Sequence, residues 1–230
     1  MKNNKHACDL KSCMLCKLCL NEWLPAIEAN RKNYHVKKGE LIFKEGEKVE
    51  GIFFVYEGTI KVHKQWGKDK ELIVRFAKKG AIVGHRGFGQ NIYYPVSGTA
   101  VEPATVCFIS MDFFQSSLKV NHDFIFELLR FYGTELQESE RNMRNLAHMS
   151  VRGRIANALL TLQSKFGITE DYSIDVVLSR QDLASFAGTT YETVFRILNE
   201  FTERKLVKVA GKQIFITDIE NLKALTVDES

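Results

Sequence analysis

The stretch LSRQDLASFAGTTYETVFRILNEFTERKLVKVAGKQIFITD, residues 178–218, decides the fold of the C-terminal part of the chain. Ser179 is a good N-cap and Asp182 follows three residues later, as in a capping box, so a helix is predicted to start here. Gly188 allows the sharp turn that joins two helices, and a second helix is predicted from about Tyr191 to Arg204. The residues after it alternate apolar and polar around an Ala-Gly turn, as a small β-hairpin does. The stretch therefore predicts a winged helix-turn-helix.

The second helix of this motif has the surface that entry into a DNA major groove requires, with polar groups concentrated at its N-terminal end. An arginine can donate two hydrogen bonds to guanine and a carboxylate can accept one from cytosine. Glu192 and Arg196 are four residues apart, so they lie on one helix face. Helix pairs joined at a glycine also occur in protein cores, so the pattern alone leaves a purely structural pair open. The helix is predicted to bury Val194, Ile197, Leu198 and Phe201, and to expose Tyr191, Glu192, Thr193, Phe195 and Arg196.

The sequence E-T-V-F-R-I-L after a Gly-Thr-Thr turn resembles the recognition helix of the CRP/FNR family of bacterial transcription regulators. In that family a glutamate is followed four residues later by an arginine, and Glu192 and Arg196 stand at those places. The resemblance covers residues 20–218 and implies a homodimer that binds a palindromic site in double-stranded DNA, with RNA polymerase as a further partner. The predicted DNA contacts are Arg180, Thr189, Thr190, Tyr191, Glu192, Phe195 and Arg196, with Lys208 and Lys212 as additional candidates for phosphate contacts.

Composition limits the remaining possibilities. With 230 residues, 45% of them hydrophobic, the chain is long enough for two modest domains. No apolar run approaches the ~20 residues of a membrane span, and the start MKNNKHACDL has no signal-peptide pattern, so a cytoplasmic protein is expected. The net charge is only +4, and residues 151–230 hold 10 Lys and Arg against 11 Asp and Glu. DNA binding is therefore expected to rest on local phosphate contacts rather than on a general basic field.

Residues from about 33 to 114 form short apolar runs punctuated by glycines, which predicts an antiparallel barrel or roll. The segments KKGELIFKEGE, GIFFVYEGTIKV and FAKKGAIVG are similar to the β-roll of the cyclic-nucleotide-binding domain of CRP/FNR proteins. The predicted fold is α+β: a cysteine-rich segment (1–20), a β-roll sensor domain (21–120), a dimerisation helix (121–147) and a winged helix-turn-helix domain (148–230).

The predicted long helix carries one apolar seam. The family resemblance implies that this seam is the coiled coil of a dimer, although a single stripe could also pack on the helix's own roll. The seam consists of Phe124, Leu128, Phe131, Leu136, Met143 and Leu146.

The roll lacks the residues that cyclic-nucleotide binders of this family use. They carry a Gly-Glu pair that holds the ribose and an Arg-Ser-Ala stretch that holds the phosphate. Here His85 stands in place of the glutamate, and Pro95 or Val96 stands in place of the arginine. Without that arginine a phosphate loses its best bidentate contact, so cyclic AMP is not expected as a ligand. Arg86 could substitute, and a pocket for another small ligand would contain His85, Arg86 and Ser97.

Four cysteines are spaced C-x4-C-x2-C-x2-C near the N-terminus, and the chain has one other cysteine, Cys107. In a cytosolic protein such a cluster indicates metal chemistry rather than disulfides, because two-residue gaps let sulfurs converge on one site. The oxygen-sensing FNR branch has an N-terminal cysteine cluster and one distant cysteine that together hold a [4Fe–4S] cluster. The resemblance therefore implies Cys13, Cys16, Cys19 and Cys107 as ligands, with Cys8 as a spare.

Other interpretations of the cysteines stay open. The four N-terminal thiols could hold a structural Zn²⁺, or act as a metal-free thiol switch, and Cys107 could be a plain core residue. No G-x-S-x-G, P-loop or H-E-x-x-H motif is present, so an enzyme is not expected. The sequence thus predicts a DNA-binding regulator controlled by an oxygen-sensitive cluster. The alternative is the same regulator controlled by a small ligand in the roll, with the cysteines binding zinc or nothing.

Overall fold

A computed structural model describes residues 2–3, 8–67 and 70–227 and separates the chain into two units, Met1–Leu136 and Gln137–Ser230. The first unit is built on two antiparallel sheets. Its strands are β1 Lys2–Asn3, β2 Arg31–Val36, β3 Leu41–Phe43, β4 Gly51–Glu57, β5 Ile60–Trp66, β6 Lys70–Ala77, β7 Ile82–Val83, β8 Ser97–Ala100 and β9 Ala104–Ser110. One sheet has the order β1-β2-β9-β4-β7 and the other the order β3-β8-β5-β6. The predicted β-roll is confirmed.

Strands β4 and β9 are buried on both faces, which explains their unbroken apolar sequences. Successive side chains of a strand point to opposite faces. Phe53 and Val106 therefore belong to the core that fills the roll, whereas Phe54 and Cys107 belong to a second core on the outer face. Cys107 is placed outside the roll by this alternation.

Four helices of the first unit contribute to that second core. They are α1 Met14–Leu18, α2 Leu24–Asn30, α3 Met111–Val120 and the first turns of α4 His122–His148. The long helix predicted over residues 121–147 is thus confirmed with a shift of one residue at each end. The predicted single seam is not continuous. Phe124 and Leu128 are buried in the second core, while Leu136 and Met143 are exposed.

A polar cluster joins three strands of the second sheet. The Glu71 carboxylate of β6 lies 2.8 Å from both Lys61 Nζ and His63 Nδ1 of β5. Nε2 of His63 lies 2.8 Å from the hydroxyl of Thr99 on β8. Burial acts to raise the pKa of Glu71, but the hydrogen bonds from His63 and Lys61 outweigh burial and lower that pKa to about 2.

The second unit is the predicted winged helix-turn-helix. Its core is formed by α5 packing against α6 and α7, and the β-hairpin follows α7. The elements are α5 Val151–Phe166, α6 Arg180–Ala187, α7 Tyr191–Glu203, β10 Val207–Ala210, β11 Gln213–Ile216 and α8 Ile219–Ala224. In the described residues, no helix is long and apolar enough to cross a membrane. The α+β fold class predicted from the sequence is confirmed.

Candidate functional site

Helix α7 presents the surface that the sequence predicts. Val194, Ile197, Leu198 and Phe201 are buried, so they fix one side of the helix against the unit's core. On the opposite side, Tyr191, Glu192, Phe195 and Arg196 are exposed. Within the part of the chain that the structure describes, neither Glu192 nor Arg196 forms an ion pair. Both groups are therefore available to base edges in a major groove.

The turn between α6 and α7 is fixed by local hydrogen bonds. Gly188 adopts a left-handed conformation with φ 63° and ψ 45°, which glycine adopts without the steric penalty of a side chain. Ser179 caps the start of α6 by accepting from the Asp182 amide over 3.0 Å, as the capping box predicts. Thr190 caps α7 by accepting from the Thr193 amide over 3.3 Å. The Thr190 hydroxyl thus has a structural role as well as a predicted phosphate contact.

Arg154 of α5 fastens this turn to the end of α4, and sequence reasoning did not single it out. Its guanidinium donates to the carbonyls of Ala187 over 3.1 Å and Gly188 over 3.3 Å. It also donates to the carbonyls of Met149 over 3.1 Å and Leu146 over 3.4 Å. Carbonyls at helix ends lack partners within the helix, and one side chain satisfies four of them here. Arg154 therefore positions the turn that sets the direction of α7.

The remaining predicted phosphate contacts lie around the helix pair and the hairpin. Arg180 is half-buried, and its Nη2 donates to the Gly211 carbonyl in the hairpin turn over 2.9 Å. Thr189 follows the turn, with its amide bonded to the Ala184 carbonyl over 3.0 Å. Lys208 and Lys212 are exposed on the hairpin. Their contacts with DNA stay predictions.

The cysteines form a second candidate site, in the first unit. The Cys8 thiol lies close to the thiols of Cys107 and Cys16, and the Cys13 thiol lies close to that of Cys16. Cys13 also caps α1, because its sulfur accepts from the Cys16 amide at 3.5 Å. Four thiols from two distant parts of the sequence thus form a chain of neighbouring pairs. Cys19 is buried in the same core, but no thiol contact of this kind is found for it among the described residues.

Protonation differs among these thiols. Hydrogen bonds with the Cys107 and Cys16 thiols lower the pKa of Cys8 well below its usual range, and the nearby Arg31 guanidinium adds to this effect. The same contacts raise the pKa values of Cys16 and Cys107. Burial raises the pKa of Cys19 to about 12. The proximity of the Cys16 thiol also lowers the pKa of Cys13, so Cys8 and Cys13 are the two cysteines whose pKa values are lowered.

The donor set suits a metal or an iron–sulfur cluster, but its geometry is that of free thiols lying side by side. In residues 8–67 and 70–227, no three Cys, His, Asp or Glu side chains are arranged to hold a metal ion. Metal ligation requires deprotonated cysteines. Binding would therefore require the sulfurs to lose protons and to move around the metal.

The cysteine segment is attached to the junction between α3 and α4. The Leu20 amide donates to Oδ1 of the buried Asn121 over 2.7 Å, and Nε1 of Trp23 donates to the Ser117 hydroxyl over 3.0 Å. The Trp23 ring also stacks on Phe113 of α3, with centroids 5.8 Å apart. A displacement of the cysteine segment would therefore act directly on the residue that precedes α4.

Comparison with known proteins agrees with the fold of each unit. A cyclic nucleotide-binding domain model matches residues 34–121, and a Crp-like helix-turn-helix domain model matches residues 153–225.

The chain belongs to the CRP/FNR family.

It is 27% identical over 224 residues to the transcriptional activator protein anr of Pseudomonas aeruginosa, covering 94% of this chain and 91% of that protein. It is also 27% identical over 200 residues to the anaerobic regulatory protein of Bacillus subtilis, covering 85% and 83%. The solved structure of FixK2 from Bradyrhizobium japonicum has a TM-score of 0.77 at 20% identity, covering 87% of this chain and 99% of that one, which shows the shared fold. This CRP/FNR protein is a DNA-binding transcription regulator, and its relatives are regulators rather than enzymes.

The residues predicted to form a ligand pocket in the CRP/FNR roll separate into two places. His85 and Arg86 both approach the Glu135 carboxylate of α4. Ser97 lies elsewhere, where its hydroxyl accepts from the Glu45 amide over 2.9 Å. The sequence had no signal for Glu135, because 49 residues separate it from Arg86.

Proposed function

We propose that this CRP/FNR regulator acts as a homodimer in the cytoplasm and that its cysteine segment holds an oxygen-sensitive [4Fe–4S] cluster. When bound, the cluster supplies a reactivity towards oxygen and nitric oxide that the side chains lack. The anaerobic regulatory protein named among its relatives supports this choice of signal. The observation that carries the proposal is the proximity of thiols from residues 8–16 to Cys107 of β9. Of these, Cys13, Cys16 and Cys107 lie in the same core as the start of α4.

The thiol contacts favour Cys8, Cys13, Cys16 and Cys107 as the ligand set. Sequence order alone suggested Cys19 in place of Cys8. Cys8 touches Cys107, the cysteine that comes from the distant strand, whereas Cys19 does not take part in these contacts within the described residues. Arg31, whose side chain is buried and donates to the Cys8 carbonyl, would balance the charge of the thiolates.

The residues around the cysteines provide a route from the signal to α4. Cys13, Cys16 and Cys107 pack in one core with Phe124 and Leu128 of that helix. Asn121 links Leu20 to the start of the helix. We infer that a change in the cysteine segment alters the stability of this core, and that α4 then favours or disfavours dimerisation.

The exposed part of α4 supports the homodimer. Leu129, Leu136 and Met143 follow one another at intervals of seven residues and are 64%, 61% and 64% exposed. Apolar side chains at this spacing form the seam of a two-stranded coiled coil. A dimer formed through them would place two α7 helices on half-sites about 34 Å apart, with RNA polymerase recruited at the promoter.

The test is metal analysis of the full chain purified without oxygen. About four irons and four acid-labile sulfides per chain are expected, with absorbance near 400 nm that oxygen removes. The Cys8→Ser variant should lose the iron, and the matched Cys19→Ser variant should keep it. Iron kept by Cys8→Ser and lost by Cys19→Ser would restore the ligand set suggested by sequence order. Absence of iron from the wild type would refute the cluster.

Zinc is the second candidate, and the direct contacts between sulfurs favour it. Four thiolates around one zinc, with bonds of about 2.3 Å in a tetrahedron, have sulfurs about 3.8 Å apart. Thiols that already lie side by side would still have to lose their protons and move around the ion to reach that arrangement. One zinc and no sulfide per chain would establish this alternative. The signal would then be sought in a small ligand of the roll.

A further inference from the structure

The carboxylate of Glu135, on α4, is enclosed by positive groups of the roll. Nη1 of Arg75 donates to Oε1 over 2.6 Å, and Nη2 of Arg86 donates to Oε2 over 3.0 Å. Nε2 of His85 lies 3.7 Å from Oε2. The side chains of Glu135 and Arg75 are only 11% and 9% exposed. Three residues of the roll thus converge on one anionic group that the helix supplies.

The charges of this cluster are not balanced. Burial lowers the pKa of His85 in spite of the nearby Glu135, which disfavours the charged form of the imidazole. Two guanidiniums then face one carboxylate. Burial would raise the pKa of Glu135, but its contacts with His85, Arg75 and Arg86 lower that pKa well below the usual range. The two guanidinium groups therefore require an anionic partner, and a net positive charge remains when Glu135 is that partner.

Buried hydrogen-bonding groups without a partner lie beside this ion pair. Within the described residues, neither ring nitrogen of His85 and not Nε of Arg75 has a hydrogen-bond partner, and His85 is only 2% exposed. The Tyr132 hydroxyl donates to the His85 carbonyl over 2.6 Å and holds that segment in place. The ring of Phe131 packs against both His85 and Arg75. The side chains of Arg75 and His85 are thus held in place beside the Glu135 carboxylate, and each keeps at least one nitrogen without a hydrogen-bond partner among the described residues.

We propose that Arg75, Arg86 and His85 form a buried carboxylate-binding site in which Glu135 is an internal ligand that fastens α4 to the roll. A small free carboxylate can occupy this site once the Glu135 side chain is removed. Glu135 thereby occupies His85 and Arg86, the two roll residues that the sequence predicted to line a pocket for a small ligand. This inference does not depend on whether the cysteines hold a cluster.

The experiment is chemical rescue of Glu135→Ala in the full chain. Trp23 and Trp66 both lie in the first unit, so tryptophan fluorescence reports its thermal unfolding. Loss of one partner of a buried ion pair should lower the midpoint by about 10 °C. Sodium formate or acetate should restore at least about half of that loss in a saturable manner, and sodium chloride at equal ionic strength should not.

Two variants serve as controls. Glu135→Gln removes the charge but fills the space, so it should lose stability without responding to formate. Glu127→Ala removes an exposed carboxylate of the same helix, which forms an ion pair with Arg130, and this variant should neither lose stability nor respond. Equal responses of Glu135→Ala to formate and chloride would overturn the proposal.

A second variant covers the case in which Glu135→Ala does not fold. Arg86 is 27% exposed, so Arg86→Gln should be tolerated. Because Arg86→Gln weakens the attachment of α4 to the roll, hydrogen–deuterium exchange in residues 131–136 of α4 should be at least tenfold faster in this variant. Exchange in Glu127→Ala should be unchanged. Unchanged exchange in Arg86→Gln would contradict it.

Discussion

Replacing Arg154 by methionine removes a guanidinium that donates to four backbone carbonyls in the second unit, while it keeps an apolar stem of similar length. Two of these hydrogen bonds, to Ala187 and Met149, are 3.1 Å long, and those to Gly188 and Leu146 are 3.3 and 3.4 Å long. A hydrogen bond from a charged group contributes about 1.5–3 kcal/mol when its partner is kept from water. Because Arg154 is partly exposed and two of its bonds are long, we expect a total of about 2–4 kcal/mol.

The loss should be concentrated at the turn between α6 and α7. The Gly188 and Thr189 amides both donate to the Ala184 carbonyl, so they report whether the turn is closed. A loss of 2–4 kcal/mol corresponds to exchange roughly 30- to 1,000-fold faster at these amides. Specific DNA affinity should fall by about tenfold or more, because the turn sets the direction of α7.

The assay is amide hydrogen–deuterium exchange on the full chain, combined with fluorescence anisotropy on a labelled operator. Tryptophan fluorescence would miss the effect, since neither tryptophan lies in the second unit. The matched control is Arg152→Met, two residues earlier on the same helix, which removes a half-exposed ion pair with Glu200 at 2.9 Å. Such pairs contribute about 0–1 kcal/mol. Exchange at Gly188 and Thr189 in Arg154→Met within about threefold of that control would refute the reasoning.

Three other perturbations test separate parts of the structure. Arg196→Ala should weaken specific DNA binding by about 1–3 kcal/mol and relax the preference at one base pair; unchanged selectivity over a set of single-base operator variants would contradict a base-reading role. Glu71→Gln should cost about 1–2 kcal/mol at pH 7 after allowance for screening. Since the pKa of Glu71 is lowered from 4.5 to about 2, the stabilisation is present above about pH 4.5 and is lost as pH falls through 2. Urea unfolding of both proteins from pH 7 to pH 3 should show their difference shrinking, and a constant difference would argue against the pair with His63. If the chain forms the homodimer proposed above, Leu136→Glu should convert it to a monomer at micromolar concentration in sedimentation velocity, with Gln137→Glu as a dimeric control; an unchanged dimer would exclude this face.

The parts of the fold that sequence predicted best are those fixed by neighbours in the chain. Ser179, Gly188 and Thr190 act within four residues of their hydrogen-bond partners, so the cap and turn signals could be recognised directly. The buried side of α7 follows from the 3.6-residue period of the helix. The roll could be recognised because strand runs and glycine turns recur at short intervals.

Contacts between residues that are far apart in the chain could not be predicted from the sequence. Arg75 and Glu135 are 60 residues apart, and nothing in either neighbourhood indicates the other. The roles of Cys8 and Cys19 depend on which of them lies near Cys107 on β9. The three-dimensional course of the N-terminal segment decides this, and the spacing of the cysteines in the sequence does not. The seam of α4 is interrupted because its first half packs in the core of its own unit. The spacing of apolar residues predicts which face of a helix is apolar, but it does not predict which part of the protein packs against that face.

The separation of Cys107 from the other cysteines has a consequence during synthesis. Cys19 leaves the ribosome about 90 residues before Cys107. At bacterial-scale elongation rates of 5–20 residues per second, this interval is roughly 4 to 18 s. During it the N-terminal thiols lack both the strand that carries their distant partner and the helices that bury them. A nascent chain in oxidising conditions is therefore open to modification of these thiols before the core that buries Cys13, Cys16 and Cys19 has formed, so the redox state of the cell at the moment of translation can determine how many chains fold with all five thiols intact.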